Sequence, residues 1–205
     1  MRPTSDFPTL QKKAVLGVPQ AQFDLGLCYA LGRGTGIDYA KADEWFRKAA
    51  EQGLATAQFN LGVSYDLGRG VKQDYAEAMN WYKKAAAQGF AQAQNNIGDL
   101  YEHGQGVAQD YAEAAKWYKQ AVDQDNHVAQ SSLGLLYFAG NGVKQDYAEA
   151  FYWLTLGTQD LSGYEDSEIA GIKHALEESA KHLKPDETAA VRKRIADWKP
   201  TPAKP

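Results

Sequence analysis

The chain has 205 residues, 44% hydrophobic and 23% charged, with a formal net charge of −4. This is the make-up of a soluble folded protein with room for one or two cores, and its acidic balance argues against a nucleic-acid partner, which calls for a basic face. No apolar run approaches the ~20 residues of a membrane span, and a single cysteine, Cys28, excludes an internal disulfide framework and a cysteine-rich zinc site.

Residues 1–20 are expected to supply an N-terminal capping helix, over 6–17, with Ala14 and Gly17 in the columns that Ala50 and Gly53 later occupy. From Ala21 the chain repeats with a period of 36, and four units fit without insertion: 21–56, 57–92, 93–128 and 129–164. Each opens on alanine (Ala21, Ala57, Ala93, Ala129). Four places on come Leu25, Leu61, Ile97 and Leu133, followed by Gly26, Gly62, Gly98 and Gly134, then by Tyr29, Tyr65, Tyr101 and Tyr137. A glycine pair such as Gly68/Gly70 and an Asp-Tyr step such as Asp74-Tyr75 precede a tryptophan column of Trp45, Trp81, Trp117 and Trp153. That column holds four of the five tryptophans, a placement chance does not produce.

Each unit reads as a helix pair. In the first helix Ala, Leu and Tyr at offsets of four draw one apolar stripe, which stops at a glycine suited to a left-handed cap. The second helix opens at "DYAE": Asp74 is the N-cap and Glu77 completes a capping box, repeated by Asp110/Glu113 and Asp146/Glu149, while the first unit has Asp38 with Lys41. Arg47, Lys48, Lys83, Lys84 and Lys119 gather toward the far end, where they complement the helix dipole, and Gly53 and Gly89 end it. The glycine inside the first helix costs about 1 kcal/mol relative to alanine. Its recurrence implies close approach by a bulky side chain, from the tryptophan column or from its neighbours Phe46, Tyr82 and Tyr118.

After Gly157 the pattern decays. Residues 165–199 are expected to form C-terminal capping helices, as the exposed end of a repeat array requires. Ile169, Ile172, Leu176 and Leu183 form one stripe, with Ile169 in the leucine column and Ala170 in the glycine column. A last helix begins near Pro185 and carries Val191, Ile195 and Trp198 on one face. Residues 200–205 read as a disordered tail.

The motif A-x3-L-G-x2-Y-x2-G-x-G-V-x2-D-Y-x-x-A-x2-W-Y-x-K-A-A-x2-G, clearest over 57–122, resembles the Sel1-like repeat family, relatives of the tetratricopeptide repeat. The first unit departs from it at Thr35 and the fourth at Leu154 and Gly157. The resemblance implies an all-α, right-handed α-solenoid of 36-residue helix-pair repeats with helical caps, binding proteins or peptides without chemistry of its own. Some cysteine-rich relatives are linked to β-lactam binding; their repeat-spanning disulfides have no counterpart here, and that property is not carried over.

Recurring columns describe a scaffold, so recognition is expected in positions that vary along one face. In the first helices the places two, six, nine and ten after the opening alanine form a second stripe, which by analogy with tetratricopeptide arrays lines the concave surface. It contains Phe23, Leu27 and Leu31; Phe59, Val63 and Asp66; Asn95, Asp99, Glu102 and His103; and Ser131, Leu135 and Phe138, with Ala30, Leu67 and Ala139 in the remaining places. The stripe is apolar at both ends and polar to acidic in the middle, which suits a protein segment with apolar anchors around a basic or amide-rich centre. The competing reading of Phe23 and Phe59 is packing against the preceding second helix.

Sharper chemistry finds little support. The "GRGV"-type loops lack the GK[ST] of a phosphate loop. His174, Glu178 and His182 share a helix face, but i to i+8 spans two turns, too far for one ion, so no metal and no cofactor is expected. Glu102-His103 lacks a nucleophile, Ser131-Ser132 falls at scaffold-like positions, and Cys28 reads as a small buried hydrophobe. The expected function is a non-catalytic interaction scaffold or adaptor. The alternatives are an assembly factor for an envelope complex, an immunity-type inhibitor of a toxin, or a hydrolase or small-ligand-binding relative, the last needing a nucleophile, base and oxyanion donor together. The expected partner is a protein or peptide, with no nucleic acid and no membrane insertion, and weak self-association through solenoid ends where a cap is incomplete. The start "MRPTSDFPTLQKKAV" has no apolar export segment and points to the cytoplasm; removal of a leader would instead mean the periplasm or secretion.

Overall fold

A computed structural model describes residues 7–162 and 164–201, and all eleven elements among them are α-helices. In chain order they are α1 (Phe7–Val15), α2 (Pro19–Leu31), α3 (Tyr39–Glu51), α4 (Ala55–Leu67), α5 (Tyr75–Ala87), α6 (Ala91–His103), α7 (Tyr111–Val122), α8 (His127–Ala139), α9 (Tyr147–Gly157), α10 (Asp166–Lys181) and α11 (Pro185–Asp197). Residues 1–6 of the expected N-terminal cap and 202–205 of the expected tail lie outside the described residues. The chain divides into two compact units, residues 1–93 with 105–107, and residues 94–104 with 108–205.

In the first unit each helix from α1 to α4 packs against the next. Leu10 and Ala14 of α1 cluster with Ala21 and Leu25 of α2, and Ala42, Phe46 and Ala49 of α3 with Ala57 and Leu61 of α4. Alternating alanine with large apolar residues lets the helices approach closely while still filling the core. Asp38 and Asp74 cap α3 and α5, each accepting from the amide three residues on at 3.0 Å. The return arm of the expected capping box is absent at Glu77. The Asp74 amide already donates to the Tyr65 carbonyl at 2.9 Å, and the Glu77 carboxylate instead accepts from Trp81 Nε1 at 2.9 Å.

In the second unit α7 packs on α8, α8 on α9, and both α10 and α11 on α9. Ala114, Tyr118, Ala121 and Val122 of α7 meet Ala129, Leu133 and Leu136 of α8. Asp110 and Asp146 repeat the N-cap. Asp125 holds a left-handed φ of 61° at the place of Gly53 and Gly89.

The C-terminal cap departs from the expected register. Ile172, Ala175 and Ser179 are the buried residues of α10, whereas Ile169 is only partly buried and Ala170 is exposed. The glycine column matters only where a second helix presses on it, and α11 docks on α9 instead. Val191 of α11 buries against Tyr152 and Leu156. Those two places are exposed Asn80 and Lys84 in the second repeat and exposed Lys116 and Gln120 in the third. Arg194 clamps the joint: its guanidinium binds both oxygens of Glu149, Nη2 reaching Oε2 at 3.1 Å, and lies 3.8 Å from the centroid of the Tyr152 ring. Beyond α11 the Thr201 amide donates to the Asp123 carbonyl at 2.6 Å, which ties down the start of the tail.

Candidate functional site

The first helix of each repeat is oriented by its glycine. A Cβ on Gly26 would lie 2.6 Å from the Phe46 ring, and one on Gly62 or Gly98 would lie 2.6 Å from Tyr82 or Tyr118; on Gly134 it would lie 2.7 Å from Leu154. The bulky occupant is therefore the residue after the tryptophan. By helix spacing the stripe at two, six, nine and ten places lies on the flank of the same helices, about a quarter-turn from the glycine.

In the first unit Phe23 lies 5.6 Å from Phe46, and Phe59 lies 5.8 Å from Tyr82 and 5.0 Å from Phe90, centroid to centroid. Both phenylalanines thus pack on the second helix of their own repeat (α3 and α5). Leu27 and Val63 are half-buried. Leu31 and Leu67, the last residues of α2 and α4, are each 52% exposed. Asp66 accepts from the Tyr82 hydroxyl at 2.8 Å.

In the second unit Glu102 accepts from the Tyr118 hydroxyl at 2.7 Å. Burial pushes the Glu102 carboxyl above its usual range, with the hydrogen bond from Tyr118 pulling the other way. Burial and then Glu102 push the Tyr118 hydroxyl well above the usual phenol value, so it stays a donor. Where the inward residue lacks a hydroxyl, the facing acid is absent: Phe46 goes with Ala30, and Leu154 with Phe138. The acidic middle of the stripe is in this respect a set of acceptors for buried tyrosines. Asp99 and His103 are exposed and paired, Nδ1 to Oδ1 at 3.2 Å. Asn95 donates to Asn96 Oδ1 at 3.3 Å and keeps a buried Oδ1 without a partner. Leu135 and Phe138 are partly buried against the α9–α10 cluster.

Ser131 is a correction. It is completely buried, and Gly157 backs onto it so closely that any Cβ there would overlap Ser131 Oγ. A small side chain is needed where the end of α9 meets α8, and Ser131 does not belong to an exposed stripe.

Two glutamine columns, both visible in the sequence, join successive helices. Gln22, Gln58 and Gln94 are buried and accept at Oε1 from Gln52, Gln88 and Gln124 at 2.7, 2.8 and 3.1 Å. Gln22 and Gln58 also donate to the Ala14 and Ala50 carbonyls at 3.2 and 3.1 Å, tying each repeat to the helix before it.

The remaining candidates have structural partners. His182 stacks on Tyr147 at 4.1 Å, Glu178 binds Lys181 at 2.6 Å, and among the described residues no group of three or more His, Cys, Asp or Glu is placed to hold a metal. The second loop glycine of the later repeats lies against backbone: a Cβ on Gly106 would sit 2.7 Å from the Tyr75 carbonyl carbon. Cys28 packs against the Leu10–Leu25 cluster, and burial raises its thiol pKa.

A Sel1 repeat model matches residues 19–54, 55–90, 91–126 and 127–158, more than half of the chain. The chain belongs to the Sel1 repeat family. Each Sel1 match begins at the first residue of a helix, Pro19, Ala55, Ala91 and His127. Sel1 repeats are generally non-catalytic protein-interaction scaffolds of helical-solenoid fold. Among solved structures, a protective antigen of uropathogenic Escherichia coli with an SLR fold is 44% identical, with a TM-score of 0.74 over 76% of this chain and 33% of the antigen. The chain thus spans about a third of that protein. A Sel1 repeat protein from Oxalobacter formigenes is 34% identical, with a TM-score of 0.68 over 89% of this chain and 81% of its own. One from Klebsiella pneumoniae, 22% identical at a TM-score of 0.53 over 94% and 100%, shares the fold. No match was found among curated proteins. Among the described residues no helix is long and apolar enough to cross a membrane.

Proposed function

We propose that this Sel1 repeat protein is a non-catalytic scaffold that holds a protein or peptide segment along the flank stripe of α2 and α4 in its first unit. The observation that carries the reading is the equivalence of Leu31 and Leu67. Both end a first helix, they stand 36 residues apart, and both are half-exposed while the other apolar residues of their helices are buried or partly buried. Single exposed leucines mean little, whereas a repeated pair on a preformed surface is what an anchor-bearing segment needs. Covering one such side chain contributes about 1.5–3 kcal/mol, and rigid helices lower the ordering cost of binding.

The test is panning of a displayed peptide library on the protein, followed by affinity measurements with Leu31→Asp and Leu67→Asp. Selected peptides are expected to carry spaced apolar anchors and to lose at least ~10-fold in affinity against either variant, the equivalent of ~1.4 kcal/mol, with thermal melts unchanged. Peptides that bind both variants as tightly as the parent overturn the proposal.

A further inference from the structure

Asp43 interrupts an apolar column. Its place is Met79, Ala115 and Phe151 in the later repeats, and its partner Ser64 stands where they have Leu100 and Leu136. Asp43 is 4% exposed and Ser64 8%. The Ser64 hydroxyl donates to Asp43 Oδ1 at 2.5 Å, while Oδ2 is buried with no hydrogen-bond partner. Oδ2 lies against Gly70, in the loop between α4 and α5, where a Cβ would overlap both the carboxylate and the Tyr39 carbonyl. An ionised carboxylate in this place is a buried charge satisfied on one oxygen only, and protonation removes most of that cost.

We propose that Asp43 is a proton-operated latch at the junction of α3, α4 and the 68–74 loop: as the neutral acid it holds Ser64 and Gly70 against α3, and on ionising it loosens them. One proton is taken up per chain on tightening. The groups acting on Asp43 are the Ser64 hydroxyl from α4 and the Arg47 guanidinium one turn along its own helix. Arg47 is itself held by the Tyr65 hydroxyl of α4 at 2.6 Å. The loop presents Gly70 backbone, and α2 adds no charge that acts on the site. Burial raises the carboxyl from 3.8 to about 6, with Ser64 and Arg47 opposing. A pKa raised on folding gives stability that is complete below the unfolded value and lost as pH rises through the folded one. The window therefore runs from about pH 4 to pH 6, flat above it. Asp38, which Lys41 holds low, has the opposite sign, so the comparison must be made at Asp43 itself. The latch does not depend on what the flank stripe binds.

The experiment is hydrogen exchange of residues 61–74 between pH 4 and pH 7, corrected for intrinsic rates, on the parent, Asp43→Asn and Asp43→Met, with an NMR titration of the Asp43 carboxyl in the parent. Parent protection is expected to fall by between about 10-fold and 10²-fold across the window, both variants to be flat, and Asp43→Met to exceed the parent at pH 7. A parent profile that is flat, or that Asp43→Asn reproduces, overturns the latch. A carboxyl midpoint below about 4.5 overturns it even if neither variant folds.

Discussion

The Tyr118 hydroxyl donates to Glu102 at 2.7 Å, and the same bond joins Tyr82 to Asp66 one repeat earlier. Removing the acid strands a buried hydroxyl, at a cost of about 1–3 kcal/mol. Glu102→Ala is therefore expected to destabilise by that amount in urea melts. The double variant Glu102→Ala/Tyr118→Phe, which copies Ala30 and Phe46 of the first repeat, is expected to recover most of it. Strictly additive losses in the cycle would mean that the acid stands free of the tyrosine.

Gly98 and Gly171 are both helical glycines, yet alanine should act on them in opposite directions. At Gly98 a Cβ meets the Tyr118 ring at 2.6 Å, and at Gly171 it meets nothing within 4 Å. Gly98→Ala is expected to cost about 1–3 kcal/mol by overpacking, and Gly98→Leu more. Gly171→Ala is expected to add up to about 1 kcal/mol through helix propensity. Calorimetric melts of the two alanine variants check the sign.

Ile37 leaves a brace unmade. Gln73, Gln109 and Gln145, at its place in the later repeats, donate to the carbonyls of Asp66, Glu102 and Phe138 at 2.7, 2.8 and 2.8 Å, whereas Ile37 is 62% exposed. Ile37→Gln is expected to stabilise the first unit by about 0.5–1.5 kcal/mol. A melting temperature that does not rise would count against the brace.

Leu156 decides where α11 sits. Leu156→Lys, which restores the residue of the second repeat, buries a charge beside Tyr152 and Val191 and is expected to undock α11. Limited proteolysis should then cut near residues 182–186 while residues 19–126 persist. Continued protection of that stretch would show that Leu156 is not what holds α11 in place.

The period of 36, the two helices per repeat, the aspartate caps and the need for a glycine inside each first helix were legible in the sequence. They depend on short-range rules: apolar spacing, caps and the steric demand of a Cβ. Other features depended on what the rest of the chain laid over a given face. Tyr82 and Trp81 are adjacent and about 100° apart on a helix, so sequence spacing leaves open which one reaches Gly62. Ser131 is small and polar and suits a surface or a tight contact; only the end of α9 makes it the latter. Ala170 lost its column because α11 turned back onto α9. Glu77 went to Trp81 because Tyr65 already held the Asp74 amide. Periodicity says which residues share a face, while burial, hydrogen-bond competition and the choice of partner are settled only when helices distant in sequence come together.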